Sequence, residues 1–171
     1  MTDRPGEPAP RGPGGGRGRR NTRPRDALGR PMPYGSIGVG ELPSVTRSAR
    51  EALTEAHRLL VEGRPFHAHE VLEDAWKSGP RAERDLWRGL AQLAVGITHA
   101  ARGNQTGADR LIERGAVNIA PYADRLPHGL DVAAVLDWCE RARAEIAART
   151  PVMLPPPPLR PDPASGVGVT G

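Results

Sequence analysis

The sequence predicts an all-α protein: a single compact bundle of four to five antiparallel helices with a disordered tail at each end. Three observations predict it. Apolar residues in the middle of the chain recur at helical spacing, and no stretch there alternates with period two over a useful length. Helix start and stop residues sit where those periodic segments begin and end. The 21 Gly and 19 Pro fall mostly at the two ends, where large apolar side chains are scarce.

Taken in order, "SVTRSAREALTEAHRLLVEG" opens with Ser44 as N-cap and stops at Gly63, a residue suited to the left-handed position after a helix. Pro65 then sits where a first-turn proline is tolerated and opens a second helix, which Gly79-Pro80 ends. A third runs from Arg81 to Arg102 and closes at Gly103; Asn104 caps a fourth that ends near Pro121. A fifth runs from Asp131 to Arg149. Connections this short favour antiparallel neighbours.

Residues 1–40 contain "PRGPGGGRGRRNTRPRD", which buries too little apolar surface to offset the entropy of ordering, so this leader reads as disordered. Residues 150–171 are Pro-rich and then Gly-rich, and read as an extended, solvated tail. The helical domain is thus expected at residues 41–149, about 110 residues, enough for one modest core. Eight of the arginines lie in residues 1–30 against three acids, whereas residues 31–171 carry 16 basic and 17 acidic side chains. The basic pI therefore describes the leader, which could make weak, non-specific contact with nucleic acid. Cys139 is alone, so no internal disulfide forms and a reducing, cytoplasmic compartment is expected. The leader has no apolar region of a secretory signal. "LAQLAVGITHAA" is too short and too polar for membrane insertion.

In a chain with 4% aromatic residues, "FHAHEVLEDAW" (residues 66–76) concentrates two histidines and three acids between Phe66 and Trp76. On a helical wheel His69 and Glu73 lie about 40° apart, inside the stripe made by Phe66, Leu72 and Trp76. Glu70 borders the stripe, and His67 and Asp74 point toward solvent. On the third helix Gln92 and His99 form a polar stripe flanked by Gly89 and Gly96. Glycine costs about 1 kcal/mol in a helix relative to alanine, so their spacing predicts close approach of a neighbouring helix. The neighbour expected there is the second helix, bringing Gln92 and His99 to His69 and Glu73.

Phe66-x-x-His69-Glu70-x-x-Glu73-x-x-Trp76, Leu90-x-Gln92-Leu93-Ala94-x-Gly96-x-x-His99, Arg102-Gly103-Asn104 and Gly107-Ala108 together resemble the bacterial family called domain of unknown function 309. The resemblance covers residues 45 to 140. It implies a small all-helical fold whose shared polar residues come from two helices, and it carries no established reaction.

Three chemistries fit the pattern. His69 and Glu73, four apart on one face, could chelate a divalent metal with His99 as third ligand; imidazole with carboxylate suits Zn, Mn or Fe. Glu70 would then be the general base of a metal-dependent hydrolase, in the place of the intervening Glu of the zincin motif. Alternatively the buried His/Glu/Gln cluster satisfies its own hydrogen bonds and ties the helices together. The third is a groove for a small molecule or protein, marked by one of the three tryptophans. The functional expectation is a binding or interaction module built on Phe66, His69, Glu70, Glu73, Trp76, Gln92 and His99, with the hydrolase as alternative. His57 and His128 have no partner suggested by spacing, and Cys139 has no neighbouring base.

Overall fold

The computed structural model describes residues 23–34, 36–40, 45–149 and 151–161. Five α-helices carry the fold, and no strand forms among the described residues. They are α1 (Ala49–Val61), α2 (Pro65–Ser78), α3 (Arg84–Ala101), α4 (Gln105–Ile119) and α5 (Val132–Ala148). The expected helices are all present; α2, α4 and α5 start where expected, and α1 and α3 start later. α1 begins one turn later than expected because Ser48 forms a complete capping box: its hydroxyl accepts from the Glu51 N–H, and the Glu51 carboxylate accepts from the Ser48 N–H at 2.7 Å. Ser44 lies outside the described residues. Asn104 and Asp131 cap α4 and α5 by accepting from the N–H groups of Gly107 and Ala134. Gly63 and Gly103 end α1 and α3 with φ of +70° and +78°, the left-handed conformation that glycine adopts without a Cβ penalty.

α3 is the central element. It buries Leu86, Leu90, Leu93 and Ile97 and packs between α2 and α4. Against α4 the backbones approach closely at glycine: a Cβ on Gly89 would sit 2.8 Å from the Gly115 carbonyl, and one on Gly96 3.4 Å from that of Ala108. Residue 89 thus meets 115 while 96 meets 108, so the two helices are antiparallel. The close approach expected at these glycines is real, but the helix that approaches is α4.

The expectation of unpacked tails differs from the structure over two stretches. Residues 151–161 lie against the bundle with Val152, Leu154, Pro157 and Leu159 buried, and the Val152 N–H donates to the Ala100 carbonyl at 3.2 Å. Proline brings apolar surface and a pre-set φ, so docking such a strap costs less entropy than ordering an ordinary loop. At the other end, Asp26 accepts from the backbone and guanidinium N–H groups of Arg30, at 2.8 and 2.7 Å, closing a tight turn. That turn places Gly29, with φ of +72°, directly on the Phe66 ring. The Arg102 guanidinium donates to the Leu28 carbonyl. The Arg/Gly run of residues 1–22 lies outside the described residues, as do 162–171. No helix among the described residues is long and apolar enough to cross a membrane.

Candidate functional site

α2 begins at Pro65 and buries Ala68, Val71 and Leu72 against the core, which fixes where the motif's polar side chains emerge. His69 and Glu73, one turn apart, meet as the wheel places them, Nε2 to Oε2 at 3.6 Å. Neither is enclosed: their side chains are 29% and 38% exposed, and Glu73 also receives Lys77 Nζ at 3.1 Å. Trp76 packs on the edge of the core, and Phe66 is half-buried beneath Gly29 and the Arg25 guanidinium. Glu70 is half-buried and Asp74 exposed.

His67 corrects the wheel. Expected in solvent, it is 3% exposed, and its Nε2–H donates to the Gly40 carbonyl at 3.1 Å. The segment covering it comes from the leader, whose composition gave no hint of packing. His67 Nδ1 is left without a hydrogen-bond partner.

Gln92 and His99 face α4. Gln92 Oε1 accepts from Asn118 Nδ2 at 2.8 Å. The Asn104 amide donates to His99 Nδ1 at 2.6 Å while its own oxygen accepts from the Gly107 N–H. His99 therefore carries its proton on Nε2. The expected union of this stripe with His69 and Glu73 does not form, because the small residues that admit close packing lie on the α4 side. Among the described residues, no group of three or more His, Cys, Asp or Glu is placed to hold a metal ion. The ligand set of His69, Glu73 and His99, with Glu70 as base, is accordingly not assembled.

Burial is the largest cause pushing His67, His69 and His99 below the ordinary histidine range. The Arg64 charge adds to it at His67 and Arg102 at His99, whereas Glu73 opposes it at His69. Burial thus disfavours the charged form of all three, and His67 and His99 are held by hydrogen bonds to Gly40 and Asn104. Cys139 is buried, its thiol pushed up to about 12 by that burial, which removes it as a nucleophile. A groove of about 310 Å³ between the start of α1 and the end of α2 is lined by Thr46, Arg47, Val71, Asp74 and Lys77, with no histidine.

Two arrangements escaped the sequence reading. Glu83 Oε2 accepts from both Trp87 Nε1 (3.1 Å) and His128 Nε2 (2.9 Å), and the two rings stack at 6.0 Å. His128 takes a φ of +55° to reach this position. The second is the cradle of the strap. Trp138 Nε1 donates to the Pro155 carbonyl at 2.9 Å, and His57 Nδ1 meets the Pro157 carbonyl at 3.2 Å. The signal for it was present in the apolar residues that bracket the proline run, Val152, Leu154 and Leu159.

These features define a class: an all-α bundle whose motif polar residues are shared out among separate helix junctions, with extended segments laid on its faces. Within that class, residues 53–111 match the family model described as "Domain of unknown function (DUF309)", the family that the motifs resemble. Over 48 residues the chain is 46% identical to the "Uncharacterized protein YpuF" of Bacillus subtilis (strain 168), a match covering 28% of this chain and 28% of that protein. The chain thus spans under a third of the length of that relative. No solved structure matches.

Proposed function

We propose that this protein is a binding module whose helical core holds extended polypeptide, while its His, Glu and Gln residues serve the scaffold. The observation that carries this reading is the pair of side-chain donors, Trp138 Nε1 and His57 Nδ1, both aimed at main-chain carbonyls of the docked strap. Side chains that hydrogen-bond a backbone recognise extended chain as such, and the apolar residues around them supply affinity. The pairing of Gln92 with Asn118 and of His99 with Asn104 supports the other half: both side chains are hydrogen-bonded where two elements meet. A lone, buried Cys139 fits a reducing cytoplasmic compartment.

Hydrogen exchange on the full chain tests the reading. The Val152 amide, bonded to Ala100, is expected to be protected in the wild type. Trp138→Phe keeps the ring's bulk and removes its donor, so Val152 exchange should rise at least about tenfold while α3 amides hold their rates. A wild-type Val152 amide exchanging as fast as an unstructured one would contradict the reading.

A further inference from the structure

The groove formed by α1, α3 and α5 has the chemistry of a proline receptor. Both of its side-chain contacts to the strap end on proline carbonyls, those of Pro155 and Pro157. A polyproline II chain makes no internal hydrogen bonds, so its carbonyls are open to donors from a groove. Burial along the strap alternates on either side of Pro156: Val152 and Leu154 before it and Pro157, Leu159 and Pro161 after it are buried, while Pro151, Met153, Pro155, Pro158 and Arg160 are exposed. The Pro157 carbonyl also accepts from the Leu159 N–H at 2.8 Å, which turns the chain after the proline run and sends Leu159 into the core. An indole N–H reading proline carbonyls, flanked by apolar sockets, is how aromatic-lined grooves take proline-rich segments.

We propose that this groove is a docking site for a proline-rich segment of a partner protein, occupied in this structure by the chain's own residues 151–161 as an in-chain ligand. The proposal rests on the reading of the core as a holder of extended chain and names what it holds. The partner is a run of three or four prolines with a large aliphatic residue on each side, the pattern Leu154-Pro155-Pro156-Pro157-Pro158-Leu159. Recognition falls on carbonyls and apolar bulk, which such a segment supplies from any chain. Tethering to α5 gives the resident strap an effective concentration of about millimolar order, so a partner gains access when the strap's own hold is weak.

The test uses the full chain and a fluorescently labelled peptide with the sequence of residues 151–161. In the Leu154→Ser/Leu159→Ser variant, confirmed helical by circular dichroism, the peptide is expected to bind saturably, with anisotropy rising at least tenfold more steeply than for the wild type. Adding Trp138→Phe should weaken that binding at least tenfold, as should replacing Pro155, Pro156, Pro157 and Pro158 of the peptide with alanine. Should loss of both leucines unfold the chain, Val152→Pro removes the strap's bond to Ala100 without altering a helix and serves in its place. A folded variant that takes no peptide at millimolar concentration would overturn the proposal while leaving the exchange result on Val152 intact. Equal binding of the alanine peptide would overturn proline recognition. A wild-type dimer exchanging its straps would assign the groove to a second copy of this chain and overturn the partner assignment.

Discussion

Gly89→Ala is expected to lower the stability of the bundle by about 1–3 kcal/mol, the cost of overpacking a close-packed interface. Helix propensity alone predicts the reverse, a gain of about 1 kcal/mol. Packing decides because the new methyl would lie 2.6 Å from Ile119 Cγ2 and 2.8 Å from the Gly115 carbonyl. The isoleucine can rotate; the carbonyl belongs to the α4 backbone and moves only if the helix moves. Gly96 is the internal control. There the nearest atom to an added methyl is Ile112 Cγ1 at 2.8 Å, a side-chain atom, and the nearest carbonyl stands off at 3.4 Å. Gly96→Ala should therefore cost less than Gly89→Ala. Urea denaturation of both variants checks the order, and a Gly89→Ala protein as stable as the wild type would show that α3 and α4 are not this close.

The second large effect is expected at Trp87. Its side chain is 1% exposed, stacks on His128 and donates to Glu83, so three elements lose contact when it goes. Trp87→Ala should cost about 3–5 kcal/mol, as large-to-small core changes of this kind do, against a total for small domains of about 5–15 kcal/mol. Trp87→Phe retains much of the packing and removes only the donor, with an expected loss of about 1–2 kcal/mol. A smaller effect of alanine than of phenylalanine in the same denaturation assay would refute the packing role.

The helices were legible because their signals are local. Pro65, Asn104 and Asp131 mark starts, Gly63 and Gly103 mark stops, and the apolar period runs unbroken between them. Even the shift of α1 from Ser44 to Ser48 was readable, since Ser48-x-x-Glu51 spells a capping box. What lies between helices was less legible. A wheel gives the direction of Gln92 and His99 relative to their own axis but does not say which neighbour stands there. Close approach at Gly89, Gly96 and Gly115 selects α4, and that choice separates Gln92 and His99 from the stripe of His69 and Glu73. His67 was misplaced for a related reason. Its cover is non-periodic chain ending in the Gly40 carbonyl, for which residue 67 itself holds no signal. The strap was hidden by composition: a proline run reads as solvated until its carbonyls find donors such as Trp138 and His57.

The division of labour between scaffold and groove is tested most directly by the metal content of protein purified without a histidine tag. With His69 paired to Glu73 and His99 held by Asn104 against α4, elemental analysis should find well under one metal per chain, and a chelator should leave the unfolding temperature unchanged. One divalent metal per chain, lost in His69→Ala, would contradict the account and return Glu73 and His99 to the role of ligands.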